Sequence, residues 1–167
     1  MKDGAVAEFS DFARSRWPRL VRLGYGLTGD RGLAEDLAQT ALASAYASWS
    51  RIRRMDEPDA YLRRIVLNAH RGGFRKRRVT EWLGDSPPDP GGPDFADGRC
   101  DRDAIITALR GLPRRQREVV VLRFWLDLSE AQTAEALGCS VGTVKSQASR
   151  ALVKLRNSTE LADWGSQ

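Results

Sequence analysis

Apolar residues recur along this chain at three- and four-residue spacing, and no stretch alternates apolar with polar over the length of a strand. The pattern predicts an all-α protein. Residues 5–27 form a first amphipathic helix with Phe9, Phe12, Leu20, Leu23 and Leu27 as core, and Pro18 inside it predicts a kink or a break. Thr28-Gly29-Asp30 ends this element, with Asp30 able to cap the next. From Arg31 to Trp49, the residues Leu33, Leu37, Ala41, Ala45 and Trp49 fall near one face, while Glu35, Asp36 and Gln39 lie opposite. Pro58 opens a helix through Arg78, with Tyr61, Leu62, Ile65, Val66 and Ala69 inward and Gly72-Gly73 as an interruption. A helix from Ala104 to Leu112 buries Ile105, Ile106 and Leu109. Pro113 then starts another, whose Val119, Val120, Leu122, Phe124 and Leu126 face the core.

The most informative stretch follows. Ser129 to Leu137 reads as a short helix with Ser129 as N-cap, Gly138-Cys139-Ser140 as a turn, and Val141 to about Arg156 as a longer helix. Two helices joined by such a turn outline a helix-turn-helix. Val144, Ala148, Ala151, Leu152 and Leu155 make one apolar stripe on the second helix. Gly142, Ser146, Ser149 and Arg150 point away from it, with Thr143 and Lys145 at its edges. That small, polar, basic face suits a helix lying in a DNA major groove. A solvated helix with ordinary charges is the competing explanation.

Charge sharpens this picture. The 167 residues carry a net charge of +5, which favours a polyanionic partner. Residues 1–83 hold 16 basic and 10 acidic groups, 84–103 hold 2 and 6, and 104–167 hold 9 and 6. Residues 84–103 also hold four of the seven prolines, so they read as a linker between a first domain (1–83) and a second (104–160), with 161–167 as a tail. Fully extended, the 20 linker residues span at most about 70 Å, enough to set two DNA-reading modules a couple of helical turns apart.

The end of the first domain is strongly basic, at Arg71, Arg75, Lys76, Arg77 and Arg78, with Tyr61, Phe74 and Trp82 interleaved. Cations among aromatic platforms suit single-stranded nucleic acid, whose bases stack on flat side chains. The alternative is that Tyr61 and Trp82 belong to the core and the arginines to a solvated helix end. The two cysteines, Cys100 and Cys139, have neither zinc nor disulfide spacing, and Cys139 reads as a small buried residue of the turn. No apolar run of about 18 residues and no signal-peptide pattern occurs, so a cytoplasmic protein without membrane insertion is expected.

The segments AEDLAQTALASAYASW (34–49), DAYLRRIVLNAHR (59–71) and GTVKSQASRAL (142–152), in this order, resemble the extracytoplasmic-function group of the sigma-70 family, most of all its actinobacterial SigE-like branch. The resemblance spans nearly the whole chain. It implies two small helical domains, sigma regions 2 and 4, that bind core RNA polymerase and direct initiation through −10 and −35 promoter elements. Asp36, Leu37 and Gln39 match the motif that docks on the β′ clamp helices, and the β flap is the further polymerase contact implied. The segment with Tyr61, Arg64, Asn68 and Arg71, continued by Phe74 to Arg78, resembles the part that melts the −10 element and captures a flipped, single-stranded base. A helix-terminus hydrogen bond is the competing role for Asn68. In region 4, Thr143, Lys145, Ser146, Gln147, Ser149 and Arg150 match the helix that reads the double-stranded −35 element. Arg150 is the candidate for bidentate contact to guanine, and Lys145 and Thr143 for phosphates. Many members are held by an anti-sigma factor, which is a further candidate partner.

A stand-alone regulator of the LuxR type shares part of the helix-turn-helix pattern, but it requires a sensor or receiver domain of alternating strands and helices, which residues 1–83 do not offer. An enzyme finds no support. The chain has one histidine, no phosphate-binding glycine loop, no metal-ligand cluster and no nucleophile–base signature, so no catalytic residue, metal or cofactor is expected.

Overall fold

The structure, a computed structural model, describes residues 2–81 and 99–158, with side chains described at 2–73 and 102–158. Among the described residues every regular element is helical. Two compact units contain them. The first comprises most of α1 (Lys2–Thr28), then α2 (Arg31–Ala47), α3 (Trp49–Ile52) and α4 (Pro58–Glu81). The second holds α5 (Arg99–Arg110), α6 (Arg114–Val120), a π-helical turn (Val121–Trp125), α7 (Glu130–Leu137) and α8 (Val141–Arg156).

In the first unit the stop and start signals act as expected. Gly29 takes a positive φ of 69° after α1, and Asp30 caps α2 by accepting a 3.0 Å hydrogen bond from the Leu33 amide. A Cβ at Gly24 would lie 2.8 Å from Ala34 Cα, so α1 and α2 cross at backbone contact distance there. This sets the rotation of α2. Its buried face is Ala34, Ala38, Ala41, Leu42 and Ala45; of the expected face Ala41 and Ala45 lie inward, whereas Leu33, Leu37 and Trp49 are half-buried. Alanines let α2 lie close along α4, and the larger Leu33 and Leu37 turn to the half-buried rim. In α4, Leu62, Val66 and Leu67 are buried, whereas Tyr61, Ile65 and Ala69 are half-buried. Leu20, Leu23 and Leu27 are buried as expected. Phe9 and Phe12 are only half-buried and join Tyr46 and Trp49 in an aromatic cluster, with ring centroids 4.9–5.2 Å apart between α1 and the end of α2 and start of α3.

Neither Pro18 nor the Gly72-Gly73 interruption ends its helix. The chain passes Pro18 without leaving α1. Pro18 lies on the exposed side, where the carbonyl that loses its N–H donor stays within reach of water. Likewise α4 continues through Gly72 and Gly73 to Glu81. Glycine weakens a helix interior by about 1 kcal/mol without ending it.

In the second unit α5 begins at Arg99, inside the stretch assigned to the linker, with Asp103 near its N-terminus where the helix dipole favours negative charge. The linker up to residue 98 and the tail from 159 lie outside the described residues. Past α6 the backbone widens into the π-helical turn, closed by Leu126 N–H donating to the Val121 carbonyl at 2.9 Å. The extra residue shifts the register. Val119 to Leu122 are all buried, while Phe124, read as core from its spacing, is 49% exposed beside the Arg123 guanidinium.

One fully buried polar side chain stands out. Thr133 has no exposed surface, and its hydroxyl makes no hydrogen bond. Leaving a buried hydroxyl unpaired costs about 1–3 kcal/mol. Thr133→Val is therefore expected to stabilise the second unit by about 1 kcal/mol, read as a higher midpoint in urea unfolding; a lower midpoint would mean that the hydroxyl is satisfied.

Candidate nucleic-acid interface

The helix-turn-helix is assembled by local hydrogen bonds that its sequence encodes. Ser129 Oγ accepts from the Gln132 amide at 3.0 Å, and Gln132 Oε1 accepts from the Ser129 amide at 2.9 Å, a complete capping box for α7. Gly138 closes α7 in the left-handed region, at φ 67°. Cys139 then donates its amide to the Ala134 carbonyl at 3.1 Å, and its thiol is half-buried rather than buried. Ser140 caps α8, accepting from the Thr143 amide at 3.1 Å and meeting the Thr143 hydroxyl at 2.9 Å. Ser140 had been read only as part of the turn. Its signal, a serine three residues before threonine at a helix start, was present in the sequence.

Within α8, Val144 and Ala151 are buried, and Ala148, Leu152 and Leu155 are half-buried. Gly142, Lys145, Ser146, Ser149 and Arg150 are exposed, with Thr143 and Gln147 half-exposed. This is the division the helical wheel requires. Thr143 spends its hydroxyl on Ser140, and Ser146 donates its own to the Thr143 carbonyl at 3.1 Å. Thr143 is thereby tied to the capping serine and Ser146 to the backbone, beside the longer, exposed Lys145 and Arg150. Lys145 Nζ lies 3.8 Å from Glu130 Oε2 of α7, a neighbour that the linear sequence does not announce.

The scaffold behind α8 also contains charge. Glu118 is fully buried, with Arg114 Nε 4.0 Å from its carboxylate. Arg117 donates to the Leu112 carbonyl at 3.1 Å. Burial lowers its pKa from arginine's ordinary value, Glu118 acts to raise it, and Arg110 to lower it. So basic a group stays charged at any physiological pH.

The first unit presents two further surfaces. On α2, Asp36 and Gln39 are exposed and Leu37 is half-buried, so the three form a mixed rim; the Thr40 hydroxyl donates to the Asp36 carbonyl at 2.9 Å. On α4, Tyr61, Arg64, Asn68 and Arg71 follow at spacings of three, four and three, which is one helical stripe. Arg64 and Asn68 are exposed, and Tyr61 and Arg71 are half-buried. Arg51 Nη2 approaches the Tyr61 hydroxyl at 3.4 Å, and its guanidinium lies 5.6 Å from the ring centroid. Since α4 is unbroken, positions 75 and 78 continue the same spacing. The side chains of Phe74, Arg75, Lys76, Arg77 and Arg78 lie outside the described residues. Among the described residues no His, Cys, Asp or Glu cluster could hold a metal ion, and no helix is long and apolar enough to cross a membrane.

Comparison with known proteins agrees with this division. Residues 12–80 match Sigma-70 region 2, and residues 102–155 match Sigma-70, region 4. The RNA polymerase sigma-E factor of Streptomyces antibioticus is 41% identical over 163 residues, covering 98% of this chain and 91% of that protein. The sigma-E factor of Streptomyces coelicolor is 42% identical over 157 residues, covering 92% and 86%. Among solved structures, the sigma factor RpoE from Bartonella quintana, in complex with the anti-sigma factor NepR, superposes with a TM-score of 0.68 at 27% identity, covering 90% of this chain and 95% of that one. Matched over both helical units, and similar to sigma-E factors along nearly its whole length, the chain belongs to the sigma-70 family, in its extracytoplasmic-function group.

Proposed function

We propose that this alternative sigma factor, which directs transcription initiation, reads a promoter at two points and is positioned on it by core RNA polymerase. The first domain runs from 1 to 83 and the second to 160; the second begins with α5 at Arg99 rather than at 104, so the tether is 84–98, and 161–167 is the tail. In the first domain, Asp36, Leu37 and Gln39 dock on the β′ clamp helices. Tyr61, Arg64, Asn68 and Arg71, followed by Phe74, Arg75, Lys76, Arg77 and Arg78, hold the melted −10 strand. An exposed amide such as that of Asn68 can pair with the Watson–Crick edge of a base that has left the stack.

In the second domain, docked on the β flap, α8 enters the major groove of the −35 element. Arg150 contacts a base edge, Lys145 and Thr143 contact phosphates, and Ser146, Gln147 and Ser149 line the approach. The observation that carries this reading is the face of α8: Lys145, Ser146, Ser149 and Arg150 are exposed together, opposite buried Val144 and Ala151. The protein acts in the cytoplasm, needs no cofactor and performs no catalytic step of its own. The Bartonella quintana relative is held by an anti-sigma factor, which supports a partner of that kind here.

Run-off transcription tests the reading. Purified chain added to core polymerase is expected to give promoter-specific initiation, with weak binding to duplex DNA in the absence of core. Tight autonomous binding without any engagement of core would instead mark a stand-alone regulator.

A further inference from the structure

One carboxylate sits among the cations of the region 4 surface. Glu130 occupies the first turn of α7, and its Oε2 lies 3.8 Å from Lys145 Nζ on α8, with the two side chains 37% and 66% exposed. A negative charge is favoured at a helix N-terminus. Yet Ser129 and Gln132 already close the capping box of α7, so Glu130 is not needed as its cap. In a helix-turn-helix the first helix crosses the DNA backbone while the second enters the groove. Glu130 thus stands on the side where phosphates arrive, and Lys145 must share or surrender it to reach one.

We propose that Glu130 sets the sequence-independent part of DNA affinity: it competes with DNA phosphate for Lys145 and so holds down binding by α8 to any sequence. Phosphate contacts carry no sequence information, so weakening one lowers affinity for all DNA alike. The discrimination supplied by the base contact from Arg150 is unchanged, while the affinity on which it acts is lower on every sequence. This inference rests on the assignment of Lys145 to a phosphate. The competing explanation is an ordinary surface ion pair, of little consequence for either stability or DNA binding.

Holoenzymes assembled from core polymerase and full-length wild type, Glu130→Gln, Lys145→Met and the double variant separate these cases. The probes are a promoter fragment selected from a randomised library by the wild-type holoenzyme and the same fragment with its −35 element scrambled. Glu130→Gln is expected to tighten binding to both about fivefold at low salt. It also steepens the slope of log K against log [salt] by less than about 0.9, the mark of one whole phosphate, because Lys145 divides its time between Glu130 and phosphate in the wild type. With Lys145→Met in place, the same substitution changes affinity by less than about twofold. An equal gain with and without Lys145, or no gain in either background, overturns the role of Glu130 while leaving the Lys145 assignment standing. If Lys145→Met alone alters neither affinity nor salt slope, Lys145 does not meet phosphate, and assignment and inference both fail.

Discussion

Arg150→Ala is expected to lower open-complex formation on a promoter with a matched −35 element by roughly tenfold to a hundredfold, and to leave a promoter without that element nearly unchanged. A bidentate arginine–guanine pair contributes about 1–3 kcal/mol of discrimination, and alanine removes both of its hydrogen bonds. The position favours a large effect. Arg150 is exposed one residue before fully buried Ala151, so α8 holds its backbone in place while the side chain points outward. Ser146 and Ser149 are exposed beside it, and such short side chains permit close approach to base edges. Surface substitutions of this kind usually shift stability by no more than about 0.5 kcal/mol, so the loss should appear without a change in melting temperature. Initiation assays on paired promoters read the result directly. An equal loss on both promoters would place Arg150 outside the groove.

This face of α8 was legible because its determinants are local. Serine caps, the left-handed glycine and the period of Val144, Ala148, Ala151 and Leu155 are all fixed by residues within a few positions of one another. What escaped was set by tertiary packing or by backbone geometry that a regular period cannot express. The rotation of α2 follows from its close crossing with α1 at Gly24 and Ala34, which brings Ala34, Ala38 and Leu42 into the core beside Ala41 and Ala45 and leaves Leu33 and Leu37 half-buried. The π-helical turn adds one residue to a helix, so every apolar position after Val121 falls out of phase with a period of 3.6, and Phe124 is carried to the surface. Glu130 and Lys145 are fifteen positions apart and meet only because the turn between them folds back. Pro18 and the Gly72-Gly73 pair stay inside their helices. Their penalties are of a size that the rest of a long helix can absorb.

The corrected rotation of α2 sharpens the second large effect. With the alanine face turned inward, Asp36 and Gln39 are left exposed and Leu37 half-buried, which is a polar rim around an apolar centre. Reversing a charge at a specific contact removes an attraction and introduces a repulsion, and loss of one buried partner alone costs about 2–5 kcal/mol. Asp36→Arg is therefore expected to weaken assembly with core polymerase by about thirtyfold or more, and to reduce transcription from every promoter alike. The fold should be indifferent, because the Asp36 side chain is exposed and the Thr40 hydroxyl is accepted by its backbone carbonyl, which arginine keeps. Ala38→Leu supplies the contrast. Ala38 has no exposed surface, and added methyl groups there should cost about 1–3 kcal/mol of overpacking. That variant loses assembly through unfolding, visible in circular dichroism, whereas Asp36→Arg keeps its helical spectrum and melting temperature and loses the partner. If Asp36→Arg bound core polymerase as tightly as the wild type, the docking surface would have to lie elsewhere on the first unit, and Leu37 would be a rim residue without a partner.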